Sequence, residues 1–187
     1  FDRLEAGTFM FATAATNGNV KLKNINPKII DNEINVLKKM GIKFFKYKNK
    51  LTIMGTKRLK KINISTSPYP GFPTDLQAQI MALMCIANGN SKVTENLFEN
   101  RFMHVPELNR MGAIIRVKGK HAYVKGNQKL TGAEIMATDL RASASLVIAA
   151  LIAKKKSTIN RIYHLDRGYE NIEKKLSQCG AHIKRVR

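Results

Sequence analysis

One carboxylate, Asp75, lies in the stretch over residues 62–87, INISTSPYPGFPTDLQAQIMALMCIA, where a proline-bearing loop runs into an apolar helix. Ile62 and Ile64 alternate as in a half-buried strand. Pro68, Pro70, Gly71 and Pro73 then break the chain into a loop. Thr74-Asp75-Leu76-Gln77 reads as a capping box, with a hydroxyl at the N-cap and a glutamine three residues on to answer it. The helix predicted over 78–87 is apolar on every side apart from Gln79, so it must be surrounded by protein. Asp75 is therefore either a structural cap or a reactive group held very still.

Three arginines are suited to an anionic partner. Arg141 belongs to a second helix entry, Thr138-Asp139-Leu140-Arg141, while Arg101 and Arg167 follow short strands. Guanidinium forks fit carboxylate and phosphate, and helix N-termini add free N–H groups and a positive dipole end. The plainer expectation is that Asp75 only caps its helix. On that reading Arg101, Arg141 and Arg167 pair with their sequence neighbours Glu99, Asp139 and Asp166. The spacing of His104 and His164 suggests no catalysis, and His121 and His182, in or beside strands, read as structural. Cys85 sits in the apolar run MALMCIA and reads as core. Cys179 precedes a helix-ending glycine, and the two cysteines have no CxxC spacing, which argues against a metal site or a disulfide framework.

The elements that must carry these residues repeat. Met40-Gly41-Ile42, Met111-Gly112-Ala113 and Cys179-Gly180-Ala181 each end a helical pattern and open a strand-like one, with the glycines 71 and 68 residues apart. Asn17-Gly18-Asn19 and Asn88-Gly89-Asn90 recur upstream, and Lys154-Lys155-Lys156 fills the third slot. The full unit reads as strand, buried helix, strand, amphipathic helix, strand, strand, in three copies at about 1–55, 62–126 and 130–187. Buried helices are predicted over 9–15, 78–87 and 142–153, each followed by a strand over 20–25, 92–97 and 158–163. The amphipathic helices carry Ile34, Leu37 and Met40, then Val105, Leu108 and Met111, then Ile172 and Leu176, and each ends at a glycine suited to a left-handed cap. Strands over 42–48, 113–118 and 182–186 follow, with second ones over 51–54 and 122–125. Strands over 62–65 and 130–136 open the second and third copies. The first copy lacks its opening strand and the third its closing one, so the chain is expected to be part of something longer with open sheet edges. A threefold arrangement of the copies would gather three helix entries at one end, a ready anion site.

Composition bounds the rest. With 187 residues, 44% hydrophobic and 25% charged, the chain is globular in class. Its longest apolar run, 146–153, is far too short to cross a bilayer, and its first residues lack the pattern of a signal peptide. Cysteine usage points to a reducing, cytoplasmic setting. The net charge of +20 invites a nucleic-acid reading. Against it, the lysines are dispersed, Ile and Asn are abundant as well, and the aromatics do not interleave with arginine for stacking. Neither nucleic acid nor membrane is the expected partner, although a positive surface would help collect an anionic small molecule.

Four segments carry a resemblance: PGFPTDLQAQ (70–79), TENLFENRFMHVPELNRMGA (94–113), LTGAEIMATDLRASASLVIAALIA (130–153) and RIYHLDRGYENIEKKL (161–176). Together they resemble the C-terminal part of the bacterial UDP-N-acetylglucosamine 1-carboxyvinyltransferases of the enolpyruvyl transferase family. The resemblance implies an α/β fold, an inside-out α/β barrel of three βαβαββ units with terminal strands missing. It implies a partner domain absent from this chain, and an N-terminal segment of the whole protein that returns to complete this domain. The implied reaction is transfer of the enolpyruvyl group of phosphoenolpyruvate to the 3-hydroxyl of UDP-N-acetylglucosamine, in peptidoglycan synthesis, with no cofactor and no metal. Asp75 in FPTD then matches the proposed base that contacts the sugar, and Leu97 a backbone contact to the sugar nucleotide. Arg101, Arg141 and Arg167 match arginines that handle phosphoenolpyruvate, with Asp139 orienting them. The family's catalytic cysteine, and the Lys-Asn pair and arginine near its N-terminus, have no counterpart among these residues, so the chain alone is expected to be inactive. Alternatives are a related transferase acting on shikimate 3-phosphate, or a non-catalytic basic module that binds nucleic acid.

Overall fold

Three helices stand at the centre: α1 (Arg3–Ala15), α3 (Gln77–Ile86) and α5 (Leu140–Ile152), each packed against the other two. Their sequences have no polar face, and burial follows: every residue of α3 from Gln77 to Cys85 is buried. The computed structural model describes residues 1–186. Around the helices lie three separate sheets. The first is β1 (Asn19–Lys23), β3 (Lys50–Met54) and β2 (Lys43–Tyr47), all antiparallel. The second runs β4 (Asn63–Ser65), β5 (Ser91–Thr94), β7 (His121–Val124) and β6 (Ile115–Lys118), with only the β4–β5 pair parallel. The third is the parallel pair β8 (Glu134–Met136) and β9 (Thr158–Asn160).

The order β1-β3-β2 matches β5-β7-β6, and β8-β9 matches β4-β5, so each of the outer sheets holds a different part of the middle one. Between the strands run the amphipathic helices α2 (Asp31–Lys39), α4 (Val105–Arg110) and α7 (Ile172–Gln178), and the short α6 (Tyr163–Asp166). Their apolar residues at three- and four-residue spacing, Ile34, Leu37, Leu108, Ile172 and Leu176 among them, all face the core. All three amphipathic helices stop at a glycine in the left-handed region: Gly41 (φ 102°), Gly112 (φ 94°) and Gly180 (φ 95°). A side chain there would be strained, which is why glycine recurs at these points.

Three local expectations need correction. Thr74–Leu76 is a 3-10 turn rather than the start of a capping box, because the Thr74 hydroxyl donates to Glu95 Oε2 at 2.8 Å instead of capping the helix. Helix α1 begins well before residue 9, since Asp2 caps it by accepting from the N–H groups of Leu4 and Glu5. Residues 182–186 form no strand. Their counterparts β2 and β6 each pair with the strand that follows, and no strand among the described residues pairs with 182–186. Arg185 is tethered to Asp166 (2.6 Å) and Glu173 (3.3 Å) instead. Beside this segment a cavity of about 1180 Å³ opens between α1, α5 and α7, with Phe9, Val147, Leu165 and Leu176 in its lining.

Candidate functional site

Gly7 of α1 meets Leu76 so closely that a Cβ there would lie 2.5 Å from a leucine methyl. That approach draws the start of α1 against the 3-10 turn that carries Asp75. On the other side of the turn, Asp75 Oδ1 accepts a hydrogen bond from Arg141 Nε in a half-exposed ion pair. The entries of α1, α3 and α5 therefore converge on one rim. Gln79, buried on α3, ties the rim together, donating to the Asp75 carbonyl at 3.0 Å and lying 3.5 Å from the Thr8 hydroxyl of α1. Thr8 in turn meets the Tyr169 hydroxyl at 2.8 Å, which links the third repeat to the same point.

Asp139 caps α5. Its Oδ1 accepts from the N–H groups of Arg141 (2.8 Å) and Ala142 (3.0 Å), so it fixes Arg141 through the backbone and touches no guanidinium among the described residues. Arg141 is thus committed across the rim to Asp75, sixty-six residues away, and not to its neighbour Asp139. Arg101 and Arg141 line one small cavity of about 190 Å³, together with Gln77, His104 and Asp139. The Arg101 guanidinium sits 4.3 Å from the centre of the Phe98 ring, a cation–π contact rather than a pair with Glu99. Arg167 is exposed at the end of α6, and its expected partner Asp166 is taken by Arg185. The turn following it lies against the start of α5, for a Cβ on Gly168 would come 2.8 Å from Leu140. Arg167 therefore borders the rim without entering the small cavity.

Leu97 N–H donates to Glu95 Oε1 at 2.9 Å, so its amide is already engaged. Spacing singles out Glu95 not at all, Gln77 only as a capping partner, and His104 for no catalytic role. The Gln77 amide nitrogen is buried beside the small cavity without a partner among the described residues. Burial pushes the pKa of His104 down to about 4, partly offset by the nearby Asp139 charge, so the imidazole is neutral at pH 7. Burial likewise pushes the Cys85 thiol up to about 12, which makes it an inert core residue. Among the described residues no cluster of His, Cys, Asp or Glu could hold a metal, and no helix is long and apolar enough to cross a membrane.

A closed bundle of apolar helices inside, sheets outside, and an arginine-bearing rim at the helix entries define an α/β fold of the enolpyruvyl transferase type. The enolpyruvyl transferase NikO from Streptomyces tendae superposes with a TM-score of 0.88 at 26% identity, over 98% of this chain and 44% of that one. The EPSP synthase of Acinetobacter baumannii shares the fold more loosely, with a TM-score of 0.62 at 14% identity, over 83% of this chain and 38% of that one. Residues 1–176 match the EPSP synthase (3-phosphoshikimate 1-carboxyvinyltransferase) family, and the chain belongs to it. Among its relatives, the UDP-N-acetylglucosamine 1-carboxyvinyltransferase of Pelagibacter ubique is 63% identical over 99% of this chain. That of Rickettsia prowazekii is 55% identical, also over 99%. The chain spans 44% of the length of either relative and corresponds to a C-terminal part of them.

Proposed function

We propose that residues 1–187 supply one domain of an enzyme that transfers the enolpyruvyl group of phosphoenolpyruvate to the 3-hydroxyl of UDP-N-acetylglucosamine. The observation that carries the reading is the rim itself. A carboxylate is fixed by an arginine from another helix entry, with Arg101 on the adjoining cavity wall, in a chain 63% identical to an enzyme of that name. Asp75 takes the proton of the sugar hydroxyl as its oxygen attacks carbon 2 of phosphoenolpyruvate. A proton then reaches the methylene carbon from a donor on the partner domain, giving a tetrahedral adduct. Loss of a proton from that carbon and departure of phosphate from carbon 2 then restore the double bond, now in an enol ether of the sugar. Arg141, Arg101 and Arg167 neutralise the carboxylate and phosphate groups as charge builds, and Asp139 holds Arg141 in place through the α5 cap. The Leu97 carbonyl contacts the sugar nucleotide. No cofactor is needed, and the setting is the cytoplasm, where peptidoglycan precursors would be made.

The test is phosphate release from a protein that joins residues 1–187 to the amino-terminal part of the Pelagibacter relative. Turnover with UDP-N-acetylglucosamine supports the reading. Turnover with shikimate 3-phosphate in its place would reassign the acceptor, a live comparison because the family carries that enzyme's name.

A further inference from the structure

Glu95 is buried, 3% exposed, and no cation pairs with it among the described residues. A buried carboxylate without a counter-charge is costly unless donors surround it. Four do. Oε1 accepts from the Thr66 hydroxyl (2.7 Å), the Leu97 N–H (2.9 Å) and, at longer range, the Phe98 N–H (3.4 Å). Oε2 accepts from the Thr74 hydroxyl at 2.8 Å. Thr66 also accepts the Asn96 N–H at 2.9 Å, closing the knot. Three segments meet on this side chain: the end of β4, the turn that presents Asp75, and the start of the segment that carries Leu97 and Arg101.

We propose that Glu95 is a positioning residue, holding the Asp75 turn and the 97–101 segment in register so that both face one sugar nucleotide. The inference rests on the acceptor reading above. Thr74 immediately precedes Asp75, and its hydroxyl has no other hydrogen-bond partner among the described residues. Removing the carboxylate strands two hydroxyls and two N–H groups in a buried place, and the two segments lose their common anchor. A shift of about 1 Å at a reacting group costs on the order of 100-fold in rate. Glutamine at this position keeps the shape. Its oxygen still accepts from Thr66 and Leu97, and its amide donates to Thr74, whose hydroxyl can rotate to accept.

The experiment uses the joined protein, with E95A, E95Q and T74V compared at matched thermal midpoints. In E95A, turnover falls about 100-fold and KM for UDP-N-acetylglucosamine rises roughly tenfold, while KM for phosphoenolpyruvate stays within about threefold. E95Q recovers most of the loss. T74V lowers turnover about tenfold and leaves both KM values near the parent. The proposal is overturned if folded E95A keeps all three constants. It is equally overturned if both KM values rise together and E95Q is no better than E95A. Should the parent protein accept shikimate 3-phosphate instead, the acceptor reading fails, and the same comparison with that substrate still decides Glu95. Should it turn over neither, amide exchange decides. Selective acceleration at Leu97 and Phe98 in E95A, with the β5–β7 ladder unchanged, supports the anchor, and unchanged rates refute it.

Discussion

Asp75 and Arg141 stand sixty-six residues apart in the chain, yet the ion pair between them joins two helix entries at one rim. Truncating Asp75 separates its two possible duties. In the joined protein, Asp75→Ala is expected to lower turnover by roughly 100-fold or more, the range of a lost general base. Binding of UDP-N-acetylglucosamine, followed by calorimetry, should weaken far less. A parallel fall in both would make Asp75 a binding contact. His104 gives a second prediction, in stability. In the unfolded chain a histidine takes up its proton near pH 6.5, while the buried imidazole refuses it down to about 4. The unfolded state therefore binds more protons across that window, and stability falls as pH drops from 6.5 towards 4. The loss approaches about 3 kcal/mol at the acid end. Urea midpoints of the parent and of His104→Gln, taken at pH 7 and pH 4.5, should converge or cross as the pH is lowered.

At the scale of elements, the central helices are held by burial and the amphipathic ones by where they stop. Leu83, fully buried where α3 meets its neighbours, should cost about 2–5 kcal/mol on truncation to alanine, as large-to-small core changes do. Gly112→Ala should cost about 1 kcal/mol or more, because its φ of 94° is hostile to any side chain, while an added Cβ would meet only ordinary contacts, 3.6 Å from the Lys129 carbonyl oxygen. Denaturant unfolding distinguishes these two magnitudes. The strand expected over 182–186 shows the opposite lesson: alternation of apolar and polar residues is not enough where no neighbouring strand completes the ladder.

At the scale of the whole molecule, the rim faces outward with its arginines half-exposed or exposed, and the proposed chemistry needs a proton donor on a partner domain. Residues 1–187 alone are therefore expected to release no phosphate from phosphoenolpyruvate and UDP-N-acetylglucosamine together. The joined protein should release it, and a coupled phosphate assay reads both. Activity from the chain by itself would place the donor within these residues and undo the mechanism.

The periodicity of apolar residues and the recurring glycines made the helices, most strands and the repeating order legible before any coordinates, because these are local consequences of burial and backbone conformation. The family resemblance named Asp75 and the arginines as candidates through contiguous motifs, and their roles are what the experiments above test. Partnership was not legible. Arg141 pairs with Asp75 rather than Asp139, Thr74 serves Glu95 rather than its own helix, and Arg185 takes the carboxylate expected for Arg167. Each choice is set by which side chains the packing of the elements brings within about 3.5 Å of one another, and a hydrogen bond has little reach beyond that distance.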